Sequence, residues 1–197
     1  MQTRVRLIAA SLTILASAVA LHAGSLSGTV KSDGSGASVV YLEPASTPAA
    51  TRVAAKTYTL TQHGMKFVPD VLAIPPGSTV TFKNDDGTAH NVFWASIGGD
   101  RRMAKNLGTF SKGEQRAFKF DQVGVAPLLC NVHPEMEGYI VVSPTPYAAR
   151  TDSAGGYRIA DIPDGRYKVT AWHAGKKPVS KAVTIDQASR EDFDLSR

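Results

Sequence analysis

The pattern that most limits how this chain can fold is strict alternation of apolar and polar residues in short runs. Thr79-Val80-Thr81-Phe82, Arg116-Ala117-Phe118-Lys119-Phe120 and Tyr167-Lys168-Val169-Thr170-Ala171 each repeat with period two. That period places every second side chain on one face of a strand, and that face is then buried. Turn-forming clusters separate such runs: Pro75-Pro76-Gly77, Asn84-Asp85-Asp86-Gly87 and Pro163-Asp164-Gly165. Helical periodicity is almost absent from Ser25 onward, and the best helix candidate, residues 98–106, is charged and reads as a loop. Short strands at this spacing predict an all-β chain built of sandwiches. Seventeen Gly and eleven Pro in 197 residues, without a fixed period, supply turns and exclude a collagen-like repeat. A 43% hydrophobic content excludes a wholly disordered chain, and a mean hydropathy of −0.12 excludes a multi-span membrane protein.

The N-terminus reads as an export signal. Arg4 and Arg6 precede an uncharged run over residues 7–21, rich in Leu, Ile, Val and Ala, with small residues after it. Cleavage is expected after Ala23, or alternatively after Ala20, giving a signal peptide over residues 1–23. Fifteen residues fall short of the roughly 20 needed to span a bilayer. No cysteine lies near the cleavage site, which excludes a lipoprotein anchor. Losing the two arginines lowers the formal charge from +5 to +3, too little to argue for a nucleic-acid or membrane-surface partner. The expected location is therefore periplasmic or secreted, with no membrane span after cleavage.

The chain has one cysteine, so no intramolecular disulfide can form and the lone thiol needs a chemical explanation. It lies in Cys130-Asn131-Val132-His133-Pro134-Glu135-Met136, a Cys-x2-His-x2-Met spacing, with His90 forty residues upstream. Soft sulfur donors with imidazole favour copper, and two His, one Cys and a weak axial Met match the blue-copper type. Zinc prefers four strong ligands, so a Met in the fourth place argues against it. Taken singly, Cys130 reads as a small buried hydrophobe, His90 as a loop histidine and Met136 as core. Their spacing is what makes them candidates. His63 lies in a polar stretch and reads as a surface residue, whereas His173 falls in phase with Tyr167, Val169 and Ala171 and reads as packed among the C-terminal strands.

The segment around these residues resembles a cupredoxin, related to plastocyanin and especially to amicyanin, whose ligand loop has the same spacing. Phe67-Val68-Pro69-Asp70-Val71-Leu72, Gly77-Ser78-Thr79-Val80-Thr81-Phe82, Asn84-Asp85-Asp86, His90-Asn91-Val92 and Gly138-Tyr139-Ile140-Val141-Val142 follow that family's pattern. The resemblance implies a Greek-key sandwich with one type 1 copper ion on His90, Cys130, His133 and Met136. It also implies that Asn91 ties the two ligand loops together and helps set the hydrogen bonding of the thiolate. Pro134, having no N–H, cannot donate to the sulfur and would stiffen the loop.

A second resemblance covers the ends of the chain. Gly28-Thr29-Val30-Lys31 and Ala37-Ser38-Val39-Val40-Tyr41-Leu42 read as an opening hairpin. With Thr151-Asp152-Ser153-Ala154-Gly155-Gly156-Tyr157, Pro163-Asp164-Gly165-Arg166-Tyr167 and the strand over 179–185, they resemble the carboxypeptidase-regulatory-like (transthyretin-like) sandwich. About a hundred residues separate the two parts. The expected organisation is a cupredoxin domain over 56–143 inserted into a second small β-sandwich formed by 24–55 and 144–197. Two consecutive domains with an N-terminal extension are the alternative. The combination resembles bacterial plastocyanin-like proteins labelled as methylamine-utilisation proteins.

These resemblances imply an exported carrier of single electrons that docks transiently on a redox protein, with His133 as the electron's exit and apolar residues around it. Copper delivery or sequestration without electron transfer is the alternative that the same ligands allow. An enzyme is not expected. The chain beyond residue 23 has only His63, His90, His133 and His173, too few for a multicopper oxidase cluster. A Cys130–His133 nucleophile pair has no third orienting group in sequence view.

Overall fold

The computed structural model describes residues 23–46 and 55–196. Except for Ala23, the expected signal peptide lies outside the described residues. Two strands open the chain, β1 (Ala23–Lys31) and β2 (Val39–Pro44). A central sandwich follows. One of its sheets contains β3 (Thr57–Gln62), β4 (Phe67–Val68), β6 (Ser78–Asn84) and β9 (Gln115–Phe120), in the order β4-β3-β6-β9. The facing sheet contains β5 (Val71–Ile74), β7 (His90–Trp94), β8 (Lys105–Phe110), β10 (Gly124–Leu129) and β11 (Glu137–Val142), in the order β5-β11-β10-β7-β8. The β3–β6 and β5–β11 pairs are parallel and the others antiparallel. The chain crosses from sheet to sheet after β4, β5, β6, β8 and β9, a Greek-key course.

The alternation read from the sequence is what fills this core. On β6 the side chains of Ser78, Val80, Phe82 and Asn84 are buried and those between them are partly exposed. Trp94, from the opposite sheet, packs between Phe82, Phe118 and Phe120, with centroid separations of 6.3, 4.9 and 5.3 Å. Its indole N–H, which a dry core could not leave unpaired, donates to the Met103 carbonyl at 2.9 Å. Residues 98–106 form no α-helix. A single 3₁₀ turn, Arg101–Met103, is capped by the Asp100 side chain, and β8 begins at Lys105.

The remaining strands are β12 (Ala148–Arg150), β13 (Gly156–Pro163), β14 (Gly165–Trp172), β15 (Val179–Ile185), β16 (Ala188–Arg190) and β17 (Phe193–Asp194). They form a flanking sandwich with β1 and β2. One sheet runs β13-β1-β16, with β17 also on β1, and the other runs β12-β2-β14-β15. The opening hairpin expected from the sequence does not form, because β1 and β2 lie in opposite sheets. Each buries one face in the same core, where Leu26 and Val30 meet Val40 and Leu42. The seven residues 32–38 are long enough to cross between layers, and Gly36 turns there at φ 89°. Each strand then finds its ladder with a C-terminal partner, β1 with β13 and β2 with β14.

A small apolar seam joins the two sandwiches. Ala37 and Val39 meet Val71 and Val141, and the Trp172 ring stands edge-on to Tyr139 at 5.2 Å. Arg150 pairs with Asp70 across the seam at 2.6 Å. His173, just past β14, is buried and shares a 3.0 Å hydrogen bond with Ser38 Oγ. Among the described residues, no helix is long and apolar enough to cross a membrane.

Candidate metal centre

Strand direction brings the candidate donors to one end of the central sandwich. β7 and β10 are antiparallel neighbours with Leu129 opposite Phe93, so the start of β7 and the end of β10 share that end. His90 is the first residue of β7, and Cys130 follows the last residue of β10. The next loop carries His133 and closes as a turn, the Met136 N–H donating to the His133 carbonyl at 3.0 Å.

Donor atoms of His90, Cys130 and His133 lie within 4.8 Å of one another. The two ring Nδ1 atoms are 2.9 Å apart, with the imidazole planes at 63°. Two lone pairs at that distance repel unless a proton or a metal ion lies between them. His90 and Cys130 are buried, at 0% and 4% exposure, while His133 is half-buried. Met136 is buried in the central core at the foot of the loop. One thiol and two imidazoles, held together without an intervening bulky side chain, fit a soft transition-metal ion.

Hydrogen bonds fix the frame around them. The Asn91 backbone N–H donates to Cys130 Sγ at 3.3 Å. The Asn91 side chain donates to Asn106 Oδ1 at 2.9 Å and receives a long 3.5 Å contact from the Asn131 N–H, which ties the two ligand loops. Remote from the cluster, His90 Nε2 meets Asp86 Oδ2 at 2.8 Å. Asp86 also accepts from the Gly64 and Met65 N–H groups at 2.7 and 2.9 Å, and its own N–H donates to Asn84 Oδ1. The Met65 N–H, with those of Gly64 and the His90 ring, holds the Asp86 carboxyl down to about 2. Asn84, fully buried, anchors the turn by donating to the Thr88 and Phe110 carbonyls.

Of the other histidines, His63 is exposed as expected and stands 3.8 Å from Asp86 Oδ1, while His173 is packed in the flanking sandwich away from the cluster. Two residues of the frame were not singled out from the sequence, Asp86 and Asn106. Asp86 entered the sequence reading only as part of the Asn84-Asp85-Asp86 run, as a turn and as a piece of the family pattern, with no role of its own. For Asn106 there is no signal.

A His-Cys-His cluster at one end of a β-sandwich, two of its three donors buried, is a candidate centre for a soft metal ion. Residues 54–143 match the family described as copper binding proteins, plastocyanin/azurin family, and residues 139–196 match the carboxypeptidase regulatory-like domain. The central segment is therefore similar to a plastocyanin/azurin-type cupredoxin domain, whose family binds copper, and the C-terminal segment to a carboxypeptidase regulatory-like domain. Among solved structures, a purple cupredoxin from Nitrosopumilus maritimus is 26% identical, with a TM-score of 0.39, over 44% of this chain and 99% of its own. A reduced amicyanin mutant is 26% identical, with a TM-score of 0.41, over 53% of this chain and 98% of its own. A copper-containing nitrite reductase from Thermus scotoductus is 27% identical, with a TM-score of 0.41, over 51% of this chain and 25% of its own. No curated protein matches the chain.

Proposed function

We propose that the protein is an exported type 1 (blue) copper protein that carries single electrons between redox partners, with His90, Cys130, His133 and Met136 as the copper ligands. The observation that carries this reading is the gathering of two imidazoles and the thiol within 4.8 Å, with the Asn91 N–H on the sulfur. Bound copper supplies a one-electron couple between Cu(I) and Cu(II). The chain's part is to keep the donors still, so that little rearranges when the charge changes. His90 and Cys130 stand at the ends of paired strands, and Pro134 stiffens the loop between the other two ligands. Such burial, at 0% and 4% exposure, favours a carrier over a delivery protein, which must release its metal.

His133, the half-buried ligand, offers the electron its way out. Val132 in the same loop is 46% exposed, and Met65, whose N–H holds Asp86 beside His90, is 48% exposed. These apolar side chains suit a small, weak docking face for a redox protein. No catalytic chemistry is proposed: the lone thiol and its neighbouring imidazoles are all assigned to the metal. The chain is further read as a copper domain over 56–143 inserted into a sandwich of 24–55 and 144–197, a division supported by the β1–β13 and β2–β14 ladders. Residues 1–23 are read as its export signal and the location as periplasmic or secreted.

The test is the visible spectrum of the copper-loaded chain. An intense thiolate-to-Cu(II) charge-transfer band, lost in Cys130→Ser, and a fast reversible voltammetric wave are expected. A colourless Cu(II) complex overturns the reading, and slow irreversible cycling with easy metal loss turns it toward copper delivery.

A further inference from the structure

Asp86 lies outside the donor cluster, yet it is bonded to one of its members and to a loop distant in sequence. The β3–β4 connection places two consecutive residues in the left-handed region, Gly64 at φ 61° and Met65 at φ 55°. That geometry aims both N–H groups at one carboxylate, Gly64 to Oδ1 and Met65 to Oδ2. Oδ2 also faces His90 Nε2 at 2.8 Å, and the Asp86 side chain is only 14% exposed. A carboxylate surrounded by N–H donors is ionised and can only accept. His90 Nε2 must then carry the ring proton, which leaves Nδ1 bare, and Nδ1 is the atom that faces His133 and the sulfur.

We propose that Asp86 is a positioning residue for the metal centre, which fixes the tautomer and orientation of His90 and lowers the reduction potential by placing a negative charge on the far side of that ring. This rests on the reading of His90 as a copper ligand. A carboxylate behind a ligating imidazole makes the ring a stronger donor, which favours the more highly charged ion, and partners of this kind typically govern metal affinity by about 10–100-fold. The Gly64–Met65 turn holds the carboxylate in place. The metal ligand is thereby linked to a surface loop whose Met65 side chain is exposed.

The experiment compares the copper-loaded full chain with D86N and D86E by visible spectroscopy and voltammetry. An asparagine Oδ1 still accepts from His90 Nε2 but carries no charge. D86N is therefore expected to keep the thiolate band while the Cu(I)/Cu(II) ratio at a fixed potential rises about tenfold, an upward shift of about 59 mV for a one-electron couple. D86E, which restores the charge, is expected to move the potential back toward wild type. A band retained with an unmoved potential in D86N overturns the proposal, because a purely structural Asp86 lowers the unfolding midpoint only. Absence of the band in the wild type identifies a failure of the copper reading itself, and the proposal falls with it. Should D86N not fold, nitrogen-15 NMR of the wild-type Cu(I) form decides. A slowly exchanging proton on His90 Nε2 supports the assignment, and a bare Nε2 overturns it.

Discussion

Replacing Trp172 by alanine removes the largest side chain from the seam between the two sandwiches. Its ring is partly buried against Ala37, Val39, Val71 and Val141 and stands edge-on to Tyr139 at 5.2 Å. A fully buried Trp→Ala change costs about 3–5 kcal/mol. Partial burial halves that to about 2 kcal/mol, of which the aromatic pair accounts for about 0.5–1.5 kcal/mol. In a chain of this size each kcal/mol moves the midpoint about 2–4 °C, so the expected drop is about 4–8 °C. The variant leaves Trp94 as its only tryptophan, buried in the central core. Its fluorescence then reports the central sandwich, while far-ultraviolet circular dichroism reports both. In Trp172→Ala the two probes are expected to separate, because the Asp70–Arg150 pair, about 40% exposed at each end, is too weak to couple the sandwiches alone. A Tyr139→Ala, Trp172→Ala double-mutant cycle should return a coupling of about 0.5–1.5 kcal/mol. A midpoint within about 1 °C of wild type, with the probes still coincident, refutes the argument that this seam makes the chain one cooperative unit.

Other perturbations separate the forces acting elsewhere. Burial, and then the nearby Lys176 charge, hold His173 below the ordinary histidine value of 6.5. The unfolded chain therefore binds more protons than the folded one just below that pH, so stability rises toward pH 6.5 and is lost as the pH falls beneath it. Urea midpoints across that range should fall with acidification in the wild type and flatten in His173→Asn; an equal slope in both refutes the assignment. Asn91→Ala removes the bonds to Asn106 and Asn131 but keeps the backbone N–H on Cys130. It should lower stability by about 1–3 kcal/mol, by chemical denaturation, with the copper band retained. Arg150→Ala should cost less than about 1 kcal/mol, a loss that disappears in about 1 M salt; a larger loss at high salt would show that the side chain packs rather than pairs.

What the sequence reveals depends on whether a strand buries one face or two. β6, β9 and β14 each hold one face against a core, so the period-two reading of Val80 and Phe82, Phe118 and Phe120, and Tyr167 and Val169 follows their burial. β7 buries His90, Asn91, Val92 and Trp94, four of its five residues, so alternation is lost and only the resemblance to a known family marks it. β10 is obscured differently. Gly124 and Pro127 are poor strand residues, and Gly124 is required because a Cβ there would meet the Gly98 backbone at 2.6 Å. The mistaken hairpin of β1 and β2 has a general cause. Two adjacent strand runs with a Gly-rich link look alike whether they pair with each other or face across a core, and the choice is made by partners more than a hundred residues away. At the candidate metal centre His90, Cys130 and His133, which the fold brings within 4.8 Å, could be singled out because soft atoms at fixed spacing are rare. Asp86 could not, because the N–H groups that make it more than a turn residue come from residues 64 and 65 on another loop.

The same geometry explains why the sulfur sits where it does. On the edge of β7 away from β8, Phe93 lies opposite Leu129 of β10, so the chain leaving β10 passes beside Asn91. Asn91 is 4% exposed, so water does not serve its N–H, and a buried donor left unpaired costs about 1–3 kcal/mol. Cys130 Sγ, arriving from the end of β10, is the acceptor that takes it. Sulfur is a weak acceptor, and this one N–H fixes the direction in which the Cys130 side chain points. One hydrogen bond therefore satisfies a buried backbone donor and holds the sulfur beside His90 and His133.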